Sequence, residues 1–374
     1  MSLYLLLLII FNFSPADRWV SRLVSQQLSD RLHTQVKIGG VRLGLFNRLI
    51  LTDVYLADQH GKELLRADLM SAKIEFRSLF QGRVSLRTVS LLDAQVNLYK
   101  ESPDKAPNFQ FLLDAFRSKD QSPSNLDLRI NSLILRRCKA SYHALYVPRS
   151  PEKLNLNHLV VSDINANVSL KHLTPDSINI RVRELSLREQ SGLDLRRLSL
   201  RLAANKTCAD IQDFDLQLPG TNIGFPRLLA FYKPDDFFKT LYLAGRIDNA
   251  QFTTTDFGFL VPRLRGFTHT LTARGLFAVN TKEIVLENWY VHEEHNNLLL
   301  ALSGKLSRRN GHIVSADANI KTLNLREGLI SQAFLHFLHR PLPAFLKTLA
   351  YVDYTGRLHW EEGGINRVAG TLKT

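Results

Sequence analysis

The chain has 374 residues, 45% of them apolar, which is enough for a large core or for two or three ordinary domains and too apolar for disorder. Its net charge of +13 and pI near 9.8 point to an anionic neighbour, nucleic acid or a membrane surface, or to a solvated basic exterior. The two cysteines, Cys138 and Cys208, form no CxxC, which excludes a zinc ribbon or thioredoxin motif and leaves one disulfide or two free thiols.

The chain opens on an apolar run, LYLLLLIIFNF, carrying Leu3, Leu5, Leu6, Leu7, Leu8, Ile9, Ile10, Phe11 and Phe13. It is shorter than the roughly 20 residues a membrane-crossing helix needs. No Lys or Arg precedes it, so the basic start of a signal peptide is missing. Residues 1–14 therefore read as part of a membrane anchor or as an isolated hydrophobic tail. Residues 15–33 follow with Ala16, Trp19, Val20, Leu23, Val24, Leu28 and Leu32 at three- and four-residue spacing, which predicts one amphipathic helix. Such a helix either lies on a membrane surface or plugs the end of a sheet.

From residue 34 the texture changes to short alternating runs. Six octads place apolar residues at offsets 0, 2, 5 and 7: residues 36–43, 84–91, 180–187, 193–200, 209–216 and 318–325. Looser copies are 49–56, 67–74, 128–135, 154–161 and 284–291. Only about one or two full matches are expected by chance at this apolar content, so the repeat is real. On a helix these offsets scatter around the axis. On a strand, one extra residue in the middle returns all four to one face, so each copy is a strand with a β-bulge, or two short strands meeting at a corner. The octad apolar residues are Val36, Ile38, Val41 and Leu43; Val84, Leu86, Val89 and Leu91; Leu128, Ile130, Leu133 and Leu135; Ile180, Val182, Leu185 and Leu187. Later copies give Leu193, Leu195, Leu198 and Leu200; Ile211, Phe214 and Leu216; and Ile320, Leu323 and Leu325.

The expected organisation is a first β segment over 34–100, then a Pro- and Ser-rich linker over 101–125 with a short helix at Phe109 to Phe116. β repeats follow over 126–326, short helices around Pro341 and Pro343 over 327–350, and further strands over 351–374, which end as an edge or run on into a part not present here. Residues 225–243 read as helix or loop. No nucleophile elbow, phosphate loop or dinucleotide fingerprint occurs. The pairs in HEEH (His292, His295) and HFLH (His336, His339) lack metal-site spacing and context. Matches to N-x-[ST] at Asn12, Asn167 and Asn205 are weak. Basic residues are spread over the repeats without a stripe or a recognisable nucleic-acid motif, so nucleic acid is not the expected partner. The expectation is a protein that is not an enzyme and carries no metal or cofactor.

In order, the anchor, the amphipathic helix, the segments 34–76 and 83–100, NFQFLLDAF at 108–116, EQSGLDLRRLSLRL at 189–202 and the tail from Leu342 resemble the AsmA-like family, in the branch that supplies the inner-membrane component of the translocation and assembly module. That family is similar to bridge-like lipid transfer proteins. The resemblance implies a mainly β fold, an elongated, twisted, open β-groove behind a membrane-anchor helix. It implies a bacterial inner-membrane protein with its bulk in the periplasm, phospholipids as partners, and the octad residues named above as the lining that takes acyl chains. It also implies a BamA-like outer-membrane barrel partner, met through a C-terminal part absent from this chain. On this reading the alternative to lipid conduction is a scaffold for outer-membrane protein assembly.

Overall fold

The computed structural model describes residues 16–44, 48–74, 84–116, 126–127, 131–150, 152–174, 177–309, 312–341, 343, 351–364 and 366–374. The class is the expected one: mainly β, an open sheet with few short helices. The apolar run of residues 3–13 lies outside the described residues, as do Leu128 and Ile130. Among the described residues no helix is long and apolar enough to cross a membrane.

The chain divides into two compact units, residues 1–171 with 182–194, and residues 172–181 with 195–374. In the first unit helix α1 (Ala16–Leu32) leads into β1 (Val36–Gly44), β2 (Arg48–Ala57), β3 (Glu63–Ile74) and β4 (Val84–Lys100), an antiparallel meander. Helix α2 (Gln110–Phe116) and the two-residue β5 (Leu126–Asp127) precede β6 (Ser132–Ala144), which pairs parallel to β4. A parallel neighbour needs a long crossover, and the polar stretch read as a linker supplies it. β7 (His158–Thr174) pairs antiparallel with β6. β8 (Ser177–Glu189) contributes its second half to this unit, with the Gln190 N–H donating to the Val160 carbonyl at 3.1 Å.

The second unit is a longer meander of successive antiparallel neighbours. Its strands are β9 (Asp194–Asn205), β10 (Cys208–Gln217), β11 (Asn222–Phe231), β12 (Tyr242–Thr253), β13 (Thr270–Val279), β14 (Glu283–Glu293), β15 (Leu298–Arg309), β16 (His312–Arg326), β17 (Tyr351–Glu361) and β18 (Arg367–Lys373). Within the aromatic stretch 225–243, β11 runs to Phe231, a 3-10 turn (Pro234–Asp236) and the single-turn helix α3 (Phe237–Thr240) follow, and β12 begins at Tyr242. Helix α4 (Glu327–Leu338) follows β16.

Of the two roles open to the amphipathic helix, α1 takes the plug. Val20, Val24, Leu28 and Leu32 pack on a core of Val36, Ile38, Val41, Leu56 and Leu64, joined by Phe109, Phe111 and Leu112 from around α2. The helix also closes the edge of β1. The Val36 N–H donates to Ser29 Oγ at 3.0 Å and the Ile38 N–H to Ser25 Oγ at 3.1 Å. Serines four apart thus meet edge donors two residues apart, where a neighbouring strand would otherwise be needed.

Candidate functional site: the apolar wall of the kinked strands

The extra residue expected inside the octads is present in three of the six, 84–91, 209–216 and 318–325, whereas 36–43 pairs one-for-one with β2. In β4 the partners of Leu86 and Thr88 are the consecutive residues Ile74 and Lys73, so Arg87 has no opposite number. In β10 the pairs Gln212–Arg201 and Asp215–Ser199 leave Asp213 and Phe214 facing one residue of β9. In β16, Lys321 is the residue left over between Ile320 and Thr322. Octad 193–200 differs: against β10 the extra residue belongs to β10, not to β9.

The kink has a conformational signature that sequence reading missed. Asp53, Asp93, Arg137, Asp163, Asp213 and Asn288 lie mid-strand with φ between 50° and 52°, in the left-handed region. Each occupies offset 4 of an octad: 49–56, 89–96, 133–140, 159–166, 209–216 and 284–291. Asp and Asn enter this region at least cost because their short polar side chains bond the local backbone. Asp or Asn at offset 4 was the available signal for five of the six; Arg137 carries none. Because offsets 5 and 7 of one octad are offsets 0 and 2 of the next, 128–135 and 133–140 share Leu133 and Leu135, and the sequence copy was placed one step early.

In the first unit the kinks line up. Register runs one-for-one through Gly39, Asp53, Asp68, Asp93 and Arg137 of β1, β2, β3, β4 and β6. At Gly39 a Cβ would stand 2.8 Å from the Cβ of Asp53, so only glycine fits opposite that kink. Outward, the kink residues pair with each other or with neighbouring arginines. Arg137 forks onto Asp93 at 2.8 and 2.5 Å, and this guanidinium holds the Asp93 carboxyl below its ordinary range. Arg188 reaches Asp163 at 3.3 Å, and Arg201 reaches Asp213 at 2.5 Å. Lys321 bonds Asn288 at 3.2 Å.

Inward, the octad residues form an apolar wall within each unit. Val54, Ala67, Ala94 and Cys138 are buried in a row across four strands, flanked by Leu51, Leu65, Met70, Leu91, Leu135 and Ile164. Leu91 and Leu135 were expected there; the small residues at the kink, Ala67, Ala94 and Cys138, were not. Cys138 and Cys208 are both free thiols. In the second unit Leu198 pairs with Leu216, Ile211 with Leu202, and Ile320, Leu323 and Leu325 with Leu302, Leu300 and Leu298. Phe214 stacks on Phe225 with ring centroids 4.2 Å apart. Of the expected lining residues with described side chains, Val36, Ile38, Val41, Leu195 and Ile320 are buried. Leu43, Val89, Leu133, Ile180, Val182, Leu185, Leu187, Leu193 and Leu200 are half-buried, like the rest of the set, and none is exposed. For Val84 and Leu86 only their place in β4 is described.

Little covers this wall. The elements in contact are neighbouring strands, α1 with β1, α1 with α2, α4 with β16, and short turns. Among the described residues no second sheet lies on it. A cleft of about 590 Å³ over β14 to β18 is lined mainly by the opposite, polar face: Glu287, Lys305, Asp317, Arg357, His359 and Arg367.

The buried acids Asp58 and Glu293 sit at turns, while Ser21 in α1 and Ser71 in β3 are buried within their elements. Glu293 of the HEEH segment is fully buried and accepts N–H bonds from His295 at 2.9 Å and Asn297 at 3.1 Å. His269 and His295 each bring Nδ1 to 3.3 Å from its other oxygen. Burial pushes this carboxyl up, but the hydrogen bonds outweigh it and bring the pKa from 4.5 to about 2. Asp58 at the β2–β3 turn follows the same logic: burial raises it, and bonds from Tyr99, Lys62, His60 and Asn108 carry it below its ordinary value. His336 of HFLH bonds the Arg263 carbonyl at 2.7 Å, and His339 ends α4 in a left-handed turn. Among the described residues no group of three His, Cys, Asp or Glu is placed to hold a metal ion.

Comparison with protein-family models, with curated proteins and with solved structures finds no match.

Proposed function

We propose that the chain is a non-enzymatic lipid carrier of the AsmA-like kind, whose kinked strands present an open apolar groove to phospholipid acyl chains between inner and outer bacterial membranes. One observation carries this reading: a row of half-buried apolar octad residues on one sheet face that no second layer covers among the described residues. A sheet with one apolar face must bury it, and a closed sandwich does so with its own side chains. Among the described residues no matching surface faces it, and an acyl chain supplies one at roughly 0.8 kcal/mol per buried methylene. An inner-membrane position with the bulk in the periplasm is what the resemblance implies for such a carrier.

Photo-crosslinkers at Val182, Leu200 and Leu323 are expected to give phospholipid adducts by mass spectrometry, whereas crosslinkers at the outward Arg183 and Arg201 are not. Adducts distributed equally over both faces, or none at all, would sink the reading. A second reading, a scaffold for outer-membrane protein assembly beside a BamA-like barrel, is favoured by β18. All its residues are exposed, it pairs with β17, and among the described residues no strand takes its other edge. Such an edge is suited to strand addition. Crosslinks from β18 to an unfolded β-hairpin substrate, in place of lipid adducts on the wall, would select it.

A further inference from the structure

A second cleft, about 630 Å³, lies in the first unit and is lined by no octad residue. Three segments form it: the end of α1 with Arg31 and His33, the β2–β3 turn with Gln59 and His60, and the stretch from Ala106 into α2 with Gln110 and Phe111. Arg31, His33 and His60 are exposed, and no hydrogen bond or ion pair engages their side chains among the described residues. Two acids lie nearby, and one of them, Asp114, lines the cleft itself. Asp114 accepts from Gln110 at 2.9 Å, and Glu101, whose charge reaches His60, is held by Lys105 at 2.7 Å.

The three walls share one anchor. Asp58 is 1% exposed. Its Oδ1 takes the N–H groups of His60 and Lys62, both at 2.9 Å, which shapes the turn. Its Oδ2 takes Tyr99 Oη–H at 2.7 Å and Asn108 Nδ2–H at 3.4 Å, which ties in the third segment. Thr34 Oγ1, next to His33, donates to the Asp58 carbonyl at 2.8 Å. A buried carboxylate thus ties together the backbone of the three segments that bring the exposed basic residues Arg31, His33 and His60 to one cleft.

We propose that this cleft binds the phosphate of a phosphoester. Basic groups arriving from separate segments suit a tetrahedral oxyanion, whereas a planar carboxylate is satisfied by one forked arginine. The cleft is larger than bare phosphate needs, and Leu32, Pro107 and Phe111 give the organic part an apolar floor. A soluble phosphoester and a phospholipid headgroup offer the same chemistry. No octad residue lines this cleft, so it holds or fails whatever the wall carries.

The test is calorimetric titration of the full chain with sodium phosphate and with glycerol 3-phosphate, and co-sedimentation with phosphatidylglycerol or phosphatidylcholine vesicles. One saturable site is expected, weakened at least tenfold in Arg31→Gln/His60→Gln. The control Lys139→Gln/Arg183→Gln, which also removes surface basic groups, is expected within twofold of the parent. Both pairs are exposed, and unchanged melting curves check their folding. Binding to phosphatidylglycerol vesicles that glycerol 3-phosphate competes away identifies a headgroup as the source. Saturable binding of the soluble phosphoester alone identifies a free one. No saturable binding of any probe, or equal losses in both double variants, overturns the proposal. Photo-crosslinking at Val182 reads the wall separately.

Discussion

Glu293 has both oxygens engaged and no solvent contact, so its charge is matched by fixed donors rather than by water. Its folded pKa of about 2 lies below its ordinary 4.5, so it adds stability that is complete above pH 4.5 and lost as the pH falls toward 2. The shift corresponds to a contribution on the order of 3 kcal/mol at neutral pH. Glu293→Gln is therefore expected to lower the urea midpoint at pH 7, and to narrow the gap to the parent as both are taken to pH 2.5. An unchanged gap across that range would show that the carboxylate's charge plays no part. Nothing in HEEH announced this role. The motif drew attention for its histidines, whereas the chemistry lies in a carboxylate whose donors are backbone groups of a turn, and backbone donors leave no mark on a sequence.

At the scale of elements, the two serines of α1 show how an edge strand is closed without a neighbouring strand. Replacing both, Ser25→Ala with Ser29→Ala, leaves the Val36 and Ile38 N–H groups without acceptors at a cost of about 1–3 kcal/mol. Faster hydrogen exchange at those two amides is expected, together with self-association through the exposed edge. Exchange at the wild-type rate would mean that water serves the edge equally well. The helix itself was legible in its apolar spacing, and the strands were legible as bent, one-faced units. Their exact phase was not, since offsets 0, 2, 5 and 7 recur every five residues along β4 and β6. The choice among overlapping octads was made by residues such as Asp93 and Arg137, whose left-handed backbone depends on cross-strand partners far along the chain.

At the scale of the whole molecule, the division into units falls near residues 171–195, inside the repeats, where composition shows no break. Contacts between distant strands set it, and periodicity along the chain is blind to those. The net charge of +13 is distributed similarly: Arg137, Arg188, Arg201 and Arg227 are paired with Asp93, Asp163, Asp213 and Asp210 across strands. Exposed pairs of this kind contribute about 0–1 kcal/mol each, so raising the salt to 1 M is expected to leave the melting temperature nearly unchanged while weakening anion binding.

The aligned kinks behave like the teeth of a zip. Because β1, β2, β3, β4 and β6 each spend one residue at the same level, every strand stays in step only while all do. Exchanging a tooth is mild: Asp93→Gly keeps the left-handed backbone and is expected to cost no more than about 1 kcal/mol. Removing one is not. Deletion of Asp93 would leave Leu91, Ala94 and Val96 in plain alternation but put the rest of β4 one residue out of step with β3 and β6 at once. The deleted chain is expected to be insoluble where the glycine variant is folded. Lineages of this protein are therefore expected to have changed length by whole hairpins, between kinks, and hardly ever by a single residue within a strand.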